Sequence, residues 1–147
     1  PPRPSGRWPA SSLAESPATA FEWIGGEARV RELVDRFYDL MDLEPGYARL
    51  RAAHGDTLAS ARDKLFWFLC GWLGGPQHYT DRFGHPRLRM RHAPYMVGPR
   101  ARDEWMLCMT QALTEQVSDL AFRTRLTDTF AQMADHMINA EPQQEQA

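Results

Sequence analysis

"GHPRLRMRHAP", residues 84 to 94, places one imidazole, His92, in an arginine-rich stretch bracketed by two prolines. Pro86 suits the first turn of a helix, whereas Pro94 disfavours helical geometry at Ala93. The stretch therefore reads as a helical stub of barely two turns that His92 closes. What such a stub is for depends on the elements around it.

Toward the N-terminus, Asp56 is positioned to cap a helix in which Leu58, Ala61, Leu65, Leu69 and Trp72 form one stripe. That helix stops at Gly74-Gly75-Pro76. Between Pro45 and Gly55 no defined element is expected. Val30, Leu33, Val34, Phe37, Leu40 and Met41 recur at helical spacing and predict a helix over residues 27–43. Before it, "TAFE" carries capping-box spacing at Thr19 and Glu22, and Gly25-Gly26 halts a first helix after little more than a turn. Toward the C-terminus, Pro99 precedes a longer helix with Trp105, Cys108, Met109 and Ala112. A last one holds Leu126, Phe130, Met133, Ala134 and Met137 and ends before Pro142. No segment alternates as a strand does between hairpin signals, so the fold class is all-α. The stripes keep no sustained heptad register, and the helices are expected to cross at globular angles around a shared pocket.

At 147 residues the chain has the size of one domain with a real core. Residues 1–18 hold five of the eleven prolines, a composition that does not bury enough surface to offset ordering entropy. They read as a flexible extension even though "SLAE" repeats the capping-box spacing at Ser12 and Glu15. Residues 19–141 form the domain and 142–147 a tail. A net charge of −2 argues against nucleic acid as a partner. The longest apolar run, residues 65–75, is about half of a bilayer-spanning helix, so no membrane partner is expected. Cys70 and Cys108 form no CxxC pair and read as buried free thiols. With no export signal in view, the expected location is cytoplasmic.

His78, His85 and His92 recur every seven residues, which invites a zinc reading. Seven residues rise about 10.5 Å along a helix, whereas ligands of one zinc lie about 2 Å from it. Glycine and proline also interrupt the run, so zinc is disfavoured. A lone imidazole serves as a metal ligand when a cofactor supplies the equatorial ones, as in haem. Lys64, Arg87, Arg89 and Arg91 would then meet the propionates. A bound dioxygen gathers negative charge that a placed donor stabilises, and Tyr38, Trp105 and His54 are candidates. For Tyr38 and Trp105, spacing alone favours core packing with a locally satisfied polar tip.

Four segments taken together, "FYDLM" (37–41), "KLFWFLCGWLGGP" (64–76), "HYTDRFGHPRLRMRHAPYMVG" (78–98) and "RDEWMLCM" (102–109), resemble the group II truncated haemoglobins, bacterial-type two-over-two globins. The likeness spans about residues 20–140, and the double glycines agree with the family's shortened first helix. The resemblance implies a two-over-two helical sandwich around haem b. In it His92 matches the proximal iron ligand, Tyr38 the distal phenol and Trp105 the distal indole. Ala61 falls where full-length globins carry a distal histidine, Leu65 would pack over the iron, and His54 matches a position of aromatic or histidine side chains. Arg91 and Lys64 resemble propionate partners, with Tyr79 a weaker one, while Phe37, Leu88, Tyr95 and Val97 resemble pocket lining. The extension before Thr19 has no counterpart in the minimal fold.

The resemblance implies reversible binding of dioxygen, and of other diatomic gases such as NO and CO, with release slowed by several donors. A competing reading is a redox enzyme at the same iron, a nitric oxide dioxygenase or a peroxidase-like protein, with His54 as acid/base and a reductase as partner. A third needs no cofactor: a helical interaction module whose aromatic stripes are only core. The sequence leaves open whether the chain is a monomer or a homodimer, and whether His54 or Tyr38 ligates the iron at rest.

Overall fold

The strongest apolar stripe in the chain becomes its central helix. The computed structural model describes residues 19–84 and 98–136, and within them α2 runs Glu27–Leu43. Val30, Leu33, Val34, Phe37, Leu40 and Met41 are all buried, as their spacing predicts, and Tyr38 is buried with them. Ahead of it, α1 is the five-residue Ala20–Ile24. The Thr19 hydroxyl accepts the Glu22 N–H at 3.1 Å, which is half of the expected capping box. Gly25 ends α1 at φ +118°, a left-handed conformation that a residue with a Cβ adopts only under strain.

Residues 44–55 are more ordered than expected. A single 3-10 turn, Pro45–Tyr47, leads into α3, Ala48–Ala52. Its anchors are Tyr47 and Leu50, both buried, and the Tyr47 hydroxyl donates to Gln111 Oε1 at 2.8 Å. Two apolar residues three apart are too few for a periodic signal. α4, Ala59–Trp72, begins later than the Asp56 cap implies. Thr57 Oγ1, not the Asp56 carboxylate, accepts the Ala59 N–H, while the Asp56 carbonyl is taken by the Arg51 guanidinium at 3.0 Å. A further short helix, α5, covers His78–Phe83, where no element was expected. Then come α6, Pro99–Gln116, and α7, Leu120–His136. The stub closed by His92, the segment beyond 136 and the extension before Thr19 lie outside the described residues.

The architecture is two pairs of helices. α2 lies against α4 in one layer and α6 against α7 in the other, and α2 also packs broadly on α6. All described elements are helical, and none is long and apolar enough to cross a membrane. The core joins the α2 stripe to Leu69 and Cys70 of α4, Cys108, Met109, Ala112 and Leu113 of α6, and Leu126 and Phe130 of α7. Both thiols are free and buried, and Cys108 Sγ donates to the Phe37 carbonyl at 3.3 Å. Along α4 the stripe is graded: Leu58 and Leu69 are buried, whereas Ala61, Leu65 and Trp72 are half-buried.

Candidate functional site

Phe37 is fully buried, and its ring joins the two polar aromatics of interest. Its centroid lies 4.8 Å from Tyr38 in an edge-on arrangement and 5.2 Å from the half-buried Trp105 on α6. From the other side, His54, just beyond α3, meets Tyr38 edge-on at 6.0 Å. Three polar aromatic rings, far apart in sequence and borne on three segments, are thus brought to one place. Helix α2 does this by turning Phe37 inward toward α6 while Tyr38, one residue on, faces the segment after α3.

Tyr38 is 5 % exposed, and burial pushes its phenol well above the ordinary value, with Arg62 partly opposing the shift. Among the described residues no hydrogen bond engages its hydroxyl, nor the Trp105 indole N–H. Neither polar atom is sealed away without a partner among the described residues, so both tips reach accessible space at the edge of the core.

His54 is held differently. Its Nδ1 lies 2.9 Å from the Leu50 carbonyl. A carbonyl only accepts, so Nδ1 carries the proton in this contact.

Sequence reasoning missed Arg62. It follows Ala61 on α4, and its guanidinium lies 5.9 Å over the Tyr38 ring. Nη2 donates to Asp39 at 2.7 Å, and Nη1 donates to both the carboxylate and the carbonyl of Asp35. The signal available was the Asp35–Asp39 pair, one turn apart on α2, which needs a cation facing it. Among the other expected site residues, Ala61, Leu65 and Tyr79 are half-buried, and Lys64 is exposed with its Nζ 5.8 Å over the Phe83 ring. Tyr79 packs on Phe83 and Phe68, toward the outer end of α4. Leu88, Arg91, His92, Tyr95 and Val97 lie outside the described residues, as do Arg87 and Arg89. His78 Nε2 is tied to Glu27 at 2.8 Å, and no group of three metal-ligating side chains occurs among the described residues.

A family profile for bacterial-like globins matches residues 19–139. The chain belongs to the bacterial-like globins. The globin is 33 % identical over 114 residues to the group 2 truncated hemoglobin YjbI of Bacillus subtilis, an alignment spanning 78 % of this chain and 84 % of that one. Among solved structures, the group II 2-on-2 hemoglobin of Agrobacterium tumefaciens superposes with a TM-score of 0.82 at 40 % identity, covering 88 % of this chain and 99 % of that one. The truncated hemoglobin of Pseudoalteromonas haloplanktis TAC125 gives 0.81 at 40 % identity, with 83 % and 98 % covered. The two-over-two fold and the group II resemblance expected from the sequence are thereby borne out. Family membership implies haem-based ligand binding. The described half of the site fits that group: among the described residues no hydrogen bond engages the polar tips of Tyr38 and Trp105, and both rings pack on the buried Phe37 of α2.

Proposed function

We propose that this globin binds dioxygen, and other diatomic gases such as NO and CO, reversibly at haem b, with release slowed by polar distal side chains. The observation that carries the reading is the pair formed by Tyr38 and Trp105, each joined to Phe37 and each with a polar tip that no hydrogen bond engages among the described residues. Haem, when bound, supplies an iron that takes up diatomic gases.

The chain's own residues do the rest. His92 would hold the iron. Lys64 and Arg91, with Tyr79, would meet the two propionates as charge-assisted partners. Phe37, Ala61, Leu65, Leu88, Tyr95 and Val97 would exclude water and shape the pocket, the small Ala61 leaving room for a ligand. Trp105 donates through its indole N–H, and Tyr38 through a hydroxyl whose pKa burial raises, so that it stays protonated across the working range. Protein purified from haem-replete cells should show a Soret band, and His92→Gly should abolish both the pigment and gas uptake. Colourless parent protein would refute the proposal and favour a cofactor-free helical interaction module.

A second reading, a redox enzyme turning over peroxide or nitric oxide with a reductase as electron donor, is favoured by the place of His54, edge-on to Tyr38 at 6.0 Å. An imidazole can take a proton and return it, as general acid–base catalysis requires. His54→Ala should then slow reductant-dependent turnover, and a rate equal to that of the parent would remove this mechanism.

A further inference from the structure

Tyr38 and Arg62 belong to a charged cluster that ties α2 to α4. Exposure rises outward through it: Tyr38 is 5 % exposed, the Arg62 side chain 23 %, and those of Asp35 and Asp39 43 % and 49 %. Three oxygens of α2 hold the guanidinium. Nη1 donates to the carbonyl and to Oδ1 of Asp35 at 3.2 and 3.1 Å, and Nη2 donates to Asp39 Oδ1 at 2.7 Å. Exposed ion pairs contribute little to stability. What two carboxylates one turn apart impose is direction, because a planar fork shared between them keeps little freedom to turn. So held, the guanidinium carbon stands 5.9 Å over the Tyr38 ring.

We infer that Arg62 is a positioning residue for the distal phenol: anchored by Asp35 and Asp39, it holds the Tyr38 ring in the orientation from which the hydroxyl donates to a bound diatomic gas. The inference rests on the haem reading above. Among the described residues no hydrogen bond engages that hydroxyl, so the contacts of the ring set its direction. Phe37 and His54 both meet the ring edge-on, and Arg62 covers its face. A cation over an aromatic face is attracted to the ring, the more so where water is excluded. Asp35, Tyr38 and Asp39 share one turn of α2, so the anchors and the ring move as one body, whereas Arg62 comes from α4 beside Ala61. A phenol already oriented gives up little freedom when it donates, and more of the hydrogen bond then appears as retention of the ligand. The positive charge also opposes the effect of burial on the phenol, which keeps its O–H a stronger donor.

The test uses the full chain with 3-fluorotyrosine in place of tyrosine and with CO added, the Tyr38 fluorine resonance being assigned by Tyr38→Phe. Arg62→Met keeps the stem and loses the charge and the fork. It should broaden the Tyr38 resonance by exchange between ring orientations, measured by relaxation dispersion, and raise the C–O stretching frequency of bound CO. The dioxygen off-rate should rise about threefold, and that rise should vanish in a Tyr38→Phe background. Asp39→Ala leaves the cation and removes its shortest anchor, and should broaden the same resonance. Arg31→Met breaks the 2.9 Å contact to Asp63, which joins the same two helices, and should leave all three readings at the parental values.

A rise in off-rate that persists in Tyr38→Phe, or equal changes in Arg31→Met, would overturn the inference, since Arg62 would then act through helix packing and not through the phenol. A Tyr38 resonance as narrow as the parent's in both Arg62→Met and Asp39→Ala would overturn it as well. Absence of a Soret band would overturn the haem reading alone, with the fluorine resonance still deciding whether Arg62 holds the ring.

Discussion

On the proposed function, a hydrogen bond from Trp105 would lengthen the stay of a gas in the pocket. A neutral hydrogen bond nets about 1 kcal/mol, so Trp105→Phe should raise the dioxygen off-rate about fivefold. Stopped-flow displacement by CO would measure it, and an unchanged rate would remove the indole from the mechanism. The thiols offer a second test at the same scale. Burial pushes Cys70 up to about 11 and Cys108 up to about 12. With the folded value above the unfolded one, the protonated thiol's contribution is complete below the ordinary thiol range. It is lost as pH rises toward those raised values. Neither cysteine should react with an alkylating reagent in the native protein at neutral pH, and both should react in denaturant, with labelling followed by mass spectrometry. Residue by residue, His54, Tyr38 and Trp105 were legible as candidates because phenol, indole and imidazole are the side chains that donate from an otherwise apolar wall. Arg62 was not, because its partners lie on another helix and nothing in the local spacing around it marks the contact.

Between elements, the two glycine pairs turn out to belong to one junction. α1 docks on the end of α4: Phe21 N–H donates to the Leu73 carbonyl at 2.9 Å, and a Cβ at Gly75 would stand 2.5 Å from the Phe21 ring. The sequence showed each pair only as a helix stop. The second role of Gly74 and Gly75, close approach to Thr19 and Phe21, required the fold. Gly75→Ala should destabilise the protein by about 1–3 kcal/mol through overpacking. Thr19→Ala should cost about 1 kcal/mol through loss of the α1 cap. Urea midpoints at constant m-value would measure both, and a Gly75→Ala midpoint equal to the parent's would mean that the ring yields freely. The short elements α3 and α5 escaped sequence reading for the reason that α1 did not: α1 carries a cap and a glycine stop, whereas α3 is fixed by Tyr47 reaching Gln111 on α6, a tertiary contact.

The two layers of the whole molecule are bound by charge as well as by core. Arg36 of α2 pairs with Glu115 of α6, with Nη2 donating to Oε2 at 3.1 Å. On the other side of α2, Arg31 donates to Asp63 of α4 at 2.9 Å, beside the Arg62 cluster. The Arg36 hydrogen bond holds the Glu115 carboxyl below its ordinary 4.5. A depressed folded value means that the stabilisation is present above the ordinary carboxylate range and is lost as pH falls through the folded value. Glu115→Gln should therefore lower the melting temperature near neutrality and leave it closer to the parent's in acid. A constant difference across the whole pH range would show that the ion pair is not the cause. The pair is solvent-exposed, so the effect should also shrink as salt is raised.

The sequence by itself determined the helical class, the register of α2, the glycine stops and the identity of the polar aromatics. All of these follow from periodicity, capping and backbone conformational limits, which act over a few residues. Only the tertiary structure decided that Phe37 stands between Tyr38 and Trp105, that Arg62 caps the Tyr38 ring, and that His54 turns its proton toward Leu50. Each depends on how one helix lies across another, and crossing geometry is set by side-chain volumes and polar partners distant in the chain.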